Sequence, residues 1–254
     1  MIKTIPLHGV SLSGANGLPT VASAANDPAS QAIGGIPGWK VFIDPSEGTA
    51  SSLPNLARAN SVFTPLTGSF EYDDLGPGLD TYLSDDWANA ADKRLTAPVG
   101  INPTAWTFFY VLNTTSVGVD GNRVLAKTNS GVPGGSEGIE IRIDTSNGLR
   151  LIRTTGTTLV ASGALVNDTT VLIMATFSTR DGTSLRKNGA EIAANSADLN
   201  PLTFEFGPQQ WGMLRTPFGE FGMMGLLDID LSWPENAGYR RALETYLINR
   251  YGIA

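Results

Sequence analysis

A chain of 254 residues with 24 acidic against 17 basic side chains, a net charge of −7 and no cysteine excludes disulfide frameworks and thiolate metal sites. It also lacks the basic stripe that nucleic-acid binding needs. Charged residues make up 16% of the chain, well under the roughly 25% usual for soluble proteins, while 29 glycines and 15 prolines favour short strands joined by many turns over helices. The length suits a single all-β domain. No run approaches the ~20 apolar residues of a membrane span, and the opening residues 1–7, interrupted by Pro6, have no apolar signal core. Synthesis in the cytoplasm is therefore expected, with neither nucleic acid nor a membrane as partner.

Residues 1–36 hold little that would build a core. Between Ser11 and Gly38 the chain is Ser, Gly, Ala, Asn and Pro with scattered Leu, Val and Ile, too little apolar surface to offset its ordering entropy alone. The segment reads either as a frayed terminus or as an extended arm that orders on a neighbouring subunit. At ~3.3 Å per residue such an arm reaches on the order of 100 Å. Its removal is expected to leave a folded domain, residues 37–254, that no longer assembles.

Residues 39–44 (WKVFID) form a first strand. A loop-rich stretch follows, punctuated by Pro45, Pro54, Pro65, Pro77 and Pro98, and prolines exclude central strands. The run WTFFYVL from Trp106 is aromatic and β-branched with apolar residues at both parities, as in a strand buried on both faces. Residues 137–144 then alternate: Ile139, Ile141 and Ile143 inward, Glu140, Arg142 and Asp144 outward. Asn147-Gly148 turns the chain into a strand over 149–153. The device recurs, with strands at 171–177 and 184–187 around Asp181-Gly182, and Asn188-Gly189 as the next turn. Residues 227–233 predict a last strand with Leu227, Ile229, Leu231 and Trp233 inward and Asp228, Asp230 and Ser232 outward. The period then shifts to about 3.6, placing Tyr239, Leu243, Tyr246, Leu247 and Arg250 on one face of a helix over 234–251. Ser232 and Glu235 have capping-box spacing, and Gly252 sits at the C-cap. Trp106, Phe108, Ile141, Ile173, Phe177, Ile229 and Leu231 are the expected core.

The C-terminal half resembles the concanavalin A-like, laminin-G-like jelly-roll domains of bacterial and phage proteins. The resemblance is carried by Phe221-Gly222 and residues 226–233, then by Glu244-Thr245-Tyr246-Leu247 and Arg250-Tyr251-Gly252-Ile253, a tail of the "YLINRYGI" kind. Asp181-Gly182 followed by Leu185-Arg186-Lys187-Asn188-Gly189 is similar to the family's "DG…L-x-x-N-G" hairpins, and residues 106–112 to its first long central strand. The match is good over about 100–254, loose over 39–99 and absent from the N-terminal segment. It implies an all-β, antiparallel jelly-roll β-sandwich with an extended N-terminal arm and one C-terminal helix. It does not by itself imply one function, since this fold carries lectins, glycanases, adhesion modules and virion proteins.

Candidate chemistry is sparse. Glycanases flank the sugar bond with two carboxylates, and the Glu-x-Asp-x-x-Glu cluster of related enzymes is missing here. Glu140 with Asp144, and Asp228 with Asp230, read as solvated outer faces. The single histidine, His8, lies in the N-terminal segment and supports no nucleophile relay. Glu71, Asp73, Asp74, Asp80, Asp85 and Asp86 crowd a stretch broken by Gly76, Pro77 and Gly78. Their hard oxygens suit calcium, although the spacing is not that of a regular calcium loop, so no cofactor is required and Asp73, Asp74, Asp80, Asp85 and Asp86 are the candidate ligands. Sugar binding needs exposed aromatics beside amide groups, and Trp87, Trp211, Gln209 and Gln210 are the candidates, set against ordinary packing of both tryptophans.

These readings predict a non-enzymatic structural or binding protein. Its expected setting is a phage virion, as a capsid decoration, tail or fibre component that forms a homo-oligomer, contacts other virion proteins and has surface carbohydrate as a candidate ligand. The alternative is a free, lectin-like carbohydrate-binding module, and a glycan-cleaving enzyme is the distant one.

Overall fold

The computed structural model describes residues 33–58, 61–65, 69, 72–74, 81–83, 95–98, 100–114, 123–129, 139–144, 146–153, 157–201, 210–213 and 220–254. The side chains of 65, 73–74, 81–83, 95–98, 114, 123–129, 157 and 210–213 are excepted. Among the described residues the strands are, in chain order, β1 (Trp39–Ile43), β2 (Leu53–Pro54), β3 (Val62–Pro65), β4 (Tyr72–Asp74), β5 (Thr81–Leu83), β6 (Leu95–Pro98), β7 (Ala105–Thr114) and β8 (Arg123–Asn129). They continue with β9 (Ile139–Ile143), β10 (Leu149–Arg153), β11 (Thr157–Ala161), β12 (Thr169–Ser178), β13 (Gly182–Lys187), β14 (Ala190–Asn195), β15 (Gln210–Met213) and β16 (Glu220–Leu227). An α-helix, α1 (Ala237–Arg250), follows a 3-10 turn at Pro234–Asn236 near the C-terminal end. Pro54, Pro65 and Pro98 each end a strand, where a missing N–H does least harm to the ladder.

The strands form two antiparallel sheets. The first has the order β14-β13-β12-β7-β16-β5-β4, with β1 also paired to β16, and the second the order β11-β10-β9-β8-β15-β6-β3-β2. This is the antiparallel sandwich expected from the sequence. Strand β7 sits in the middle of the first sheet and supplies both of its faces. Trp106, Phe108, Tyr110 and Leu112 enter one apolar core together with Ile173, Phe177, Phe221 and Leu226 of the same sheet and Ile139, Ile141, Leu149 and Leu151 of the second. Phe109 and Val111 enter another core on the opposite face, with Leu172, Met174, Leu227 and the helix residues Leu243, Tyr246 and Leu247. Each fully buried side chain of this size contributes about 1.5–3 kcal/mol.

The outer face of the first sheet is thus sealed by α1 and by the segment that enters β1. Of residues 1–36, the described part belongs to this seal. Ile33 and Ile36 are 1% and 0% exposed, and the Trp39 indole donates to the Ile33 carbonyl at 3.3 Å. The body of the domain therefore begins no later than Ile33, four residues before the expected boundary, because two isoleucines inside a polar segment suffice to fill the gap beside Trp39. Residues 1–32 lie outside the described residues.

The C-terminal end differs from expectation in three ways. Strand β16 ends at Leu227, so 227–233 is not a strand. Leu231 still reaches the second core, and Ile229 is only partly buried. The capping box does not form: Ser232 gives both its N–H (2.7 Å) and its hydroxyl (2.6 Å) to Asp230 Oδ1, while Glu235 pairs with Arg180 at 2.6 Å. Tyr239 is exposed, and Glu244 takes its place on the inward face, held at 2.8 Å by Arg186 of β13. The tail motif has a physical basis. The Tyr251 ring packs against Gly222, where a Cβ would stand 2.6 Å from it, and its hydroxyl accepts the Met223 N–H at 2.7 Å. Gly252 takes φ +58 to end the helix. No described helix is long and apolar enough to cross a membrane.

Leu247, fully buried between α1 and the sheet, is expected to cost about 2–5 kcal/mol when replaced by alanine, and Ile36→Ala a similar amount. Denaturant unfolding measures both. A loss under half a kcal/mol for Ile36→Ala would return that residue to the arm.

Candidate functional site

With one face of the first sheet closed by α1 and the other facing the intersheet core, the outer face of the second sheet is the broad surface left among the described residues. Its described part is built by the β9–β10 hairpin and β11. The alternation that sends Ile139, Ile141, Ile143, Leu149 and Leu151 inward turns Glu140, Arg142, Arg150, Ile152, Thr158 and Val160 outward, where all remain partly or well exposed. The register sets Arg150 directly opposite Arg142, and Ile152 opposite Glu140. On the other flank Val160 stands opposite Arg150, and Thr158 opposite Ile152.

The two arginines are each held by one carboxylate. Arg142 Nη1 donates to Glu140 Oε1 at 3.1 Å. Arg150 Nε donates to Asp144 Oδ2 at 2.7 Å, with the Arg150 side chain 36% exposed and Asp144 only 4%. Asp144 is therefore not part of a solvated face, as its parity predicted. Its Oδ1 accepts the N–H of Ser146 and of Gly148, both at 2.8 Å, so it folds under the turn. A Cβ on Gly148 would stand 2.7 Å from Asp144 Oδ2, so it is this carboxylate that requires glycine there, while the positive φ of 58° falls on Asn147. Burial by itself raises the Asp144 pKa. The Arg150 hydrogen bond, the two N–H groups and the Arg150 charge outweigh it and hold the carboxyl below its ordinary value.

The other carboxylate pair also departs from expectation. Asp228 is bound to Lys40 at 2.6 Å and accepts the Asn102 N–H. Asp230 is fully buried rather than outward. Burial pushes its pKa up, against the hydrogen bonds that its Oδ1 accepts from the Ser232 N–H and hydroxyl. Neither pair is laid out on an open face for acid–base work on a glycosidic bond. Among the described residues no group of three His, Cys, Asp or Glu side chains converges to hold a metal.

The sequence-predicted ligands divide between the sheets. Gln210 and Trp211 lie in β15 of the second sheet, separated from β9 by β8. Their register partners in β8 are Asn129 and Thr128, and their side chains lie outside the described residues. Asp73 and Asp74 lie in β4, at the far end of the first sheet, opposite Tyr82 and Thr81, also without described side chains. Trp87, Gln209, Asp80, Asp85 and Asp86 lie outside the described residues, as does His8. Sequence reading missed Arg150. The signal was available: a hairpin centred on the Asn147-Gly148 turn, with 143 opposite 149, puts 142 opposite 150.

No protein-family model and no curated protein matches the sequence. Solved structures do. Trypanosoma rangeli sialidase is similar at 12% identity with a TM-score of 0.55, over 83% of this chain and 33% of that one. The receptor-binding domain of botulinum neurotoxin mosaic serotype C/D is similar at 9% identity and a TM-score of 0.54, over 80% and 50%. The Ruminococcus gnavus IT-sialidase CBM40 bound to alpha2,3 sialyllactose matches 52% of this chain and 80% of its own, at 17% identity and a TM-score of 0.44. At these identities the likeness is one of fold, and the chain spans a third of the sialidase and half of the toxin fragment.

Because the folded-state pKa of Asp144 is depressed, its stabilisation is present above the unfolded value and disappears as pH falls through the folded one. The gap in thermal midpoint between the unsubstituted protein and Asp144→Asn is expected to be wide near pH 7 and to narrow below about pH 4. A gap that does not change with pH would mean that the carboxylate charge is not what holds the turn.

Proposed function

We propose that this chain is a non-catalytic carbohydrate-binding β-sandwich that presents the outer face of its second sheet to a glycan. The observation that carries this reading is the array on β9–β10–β11. Two guanidinium groups with hydrogen-bonding capacity to spare stand beside the exposed aliphatic surface of Ile152 and Val160. Sugars offer hydroxyls and an apolar C–H face in the same alternation, and such sites combine a few fixed polar groups with apolar contact. The fold is shared with a sialidase and with the receptor-binding domain of a toxin, which is in keeping with the reading. It favours the lectin-like alternative over the virion setting as the primary proposal. Carriage on a phage particle, as a homo-oligomer held by the N-terminal segment, is a separate proposal. It rests on the family resemblance together with the low charge, the lack of cysteine and the arm-like N-terminal sequence, and co-purification with intact particles tests it.

The test is binding of the purified chain to immobilised oligosaccharides, followed by titration of the hits. Arg150→Ala is expected to weaken binding about tenfold or more, as loss of hydrogen bonds to a charged group does, with the released glycan unchanged in mass. Binding that survives both Arg142→Ala and Arg150→Ala would move the site elsewhere. Glycan cleavage abolished by Glu140→Gln would replace the binding reading with an enzymatic one.

A further inference from the structure

We propose that the array is specific for an anionic group on the sugar, a carboxylate or a sulfate ester, which bridges Arg142 and Arg150; this rests on the glycan-binding reading. Like charges directly opposite on an antiparallel pair repel, and the two arginines are register partners. The repulsion is only partly offset. Asp144 lies beneath the turn and meets Arg150 through Nε alone, which leaves the two Nη groups of Arg150 without a partner among the described residues. Glu140 meets Arg142 through Nη1; Arg142 Nε is buried out of a ligand's reach, while Nη2 has no partner among the described residues and belongs to a side chain 24% exposed. Each guanidinium therefore keeps part of its planar fork unclaimed, and paired N–H groups of this kind match the two oxygens of a carboxylate or sulfate. A single anion between the forks cancels the repulsion and satisfies donors that the fold leaves open.

The neighbours fit one acidic sugar rather than a long polyanion. Val160, 39% exposed, stands opposite Arg150, so a sugar ring anchored by its anionic group lays its C–H face on Val160 and Ile152. The net charge of −7 repels a polyelectrolyte at long range. Attraction here comes from short hydrogen bonds, and it is accordingly expected to be weakly salt-dependent.

The experiment titrates the whole chain with three versions of one oligosaccharide: neutral, carboxylate-bearing and sulfated. A sulfated dextran and inorganic sulfate are run alongside. The acidic versions are expected to bind about tenfold or more tighter than the neutral parent. A preference for one of them identifies the anion, and affinity is expected to fall less than about threefold between 50 and 200 mM salt, unlike counterion-driven binding. Arg150→Lys is expected to keep the charge but lose most of the preference, because the fork is gone. Val160→Asp, a substitution at an exposed position, places a carboxylate opposite Arg150 and is expected to abolish the preference in a protein of unchanged thermal midpoint. Equal binding of neutral and acidic forms, both lost in Arg150→Ala, would overturn the anion assignment and leave the glycan-binding reading standing. Absence of binding to all three would overturn both. Binding of sulfated dextran alone, with a steep salt dependence, would overturn the single-anion site.

Discussion

Strand β7 is apolar at both parities, and the molecule is organised around the need to cover it twice. A strand of this kind exposes two rows of large side chains, and neither row can be left in water. Trp106, Phe108, Tyr110 and Leu112 are covered by the second sheet, Phe109 and Val111 by α1 and the residues around Trp39. Its neighbours repeat the arrangement in register. On β12, Ile173, Ala175 and Phe177 pair with the inner row, and Leu172 and Met174 with the outer. Gly225 of β16, which has no room for a Cβ beside the Phe109 ring, lets the outer row close up. Three layers follow from one strand: helix, sheet, sheet.

That layering decides where a ligand can be met. The helix layer is fixed by more than apolar contact. Arg186 reaches Glu244 at 2.8 Å, and Arg250 reaches the buried Asp44 at 3.0 Å. The Asn188 side chain ties Leu172 of β12 to the carbonyl of Ala254. Within the intersheet layer the buried Arg153 is held at 2.7 Å by Asp198 and stacks 3.3 Å over Phe177, which pins the segment after β14 across the end of the core. These ties commit the charged groups of the helix side to holding the fold. Arg142 of β9 and Arg150 of β10 are different, since each is only partly claimed by its carboxylate partner and stays partly exposed.

Much of the fold was legible because its signals are local. The two-parity apolar run at 106–112, the alternation at 139–143 and the Asn-Gly turns depend only on neighbours in sequence, and each has a backbone geometry that enforces it. The failures are equally physical. Asp144 and Asp230 occupy outward parities, but parity holds only while the strand continues. At both sites the ladder stops and the carboxylate turns back to accept N–H groups of the following residues. Leu227–Trp233 alternated well enough to pass as a strand, yet Asp230 and Ser232 form a local hydrogen-bonded turn there. Ile33 and Ile36 were hidden by the polar residues around them, since composition averages a segment and packing does not. The Arg142–Arg150 pair is a property of register rather than of either strand, so it becomes visible only when the hairpin is aligned about its turn.

The same aligned hairpin carries the proposed glycan site. Asp144 spends one oxygen on the turn and the other on Arg150, so the residue that shapes the hairpin also orients the guanidinium. Arg142 is oriented in turn by Glu140, two residues along its own strand. Both donors stand on paired strands backed by a packed core, not on a loop. Little conformational entropy remains to be lost when a ligand arrives, and a donor already held in place converts more of its hydrogen-bond energy into affinity. The charge balance points the same way. Each of the two arginines is countered by a carboxylate, Glu140 or Asp144, and the chain as a whole is acidic, so little long-range pull on polyanions comes from this pair. At contact distance, however, the Nη groups left over from the two ion pairs belong to partly exposed side chains, while Asp144 is buried beneath the turn, and a partner close enough to touch meets hydrogen-bond donors there.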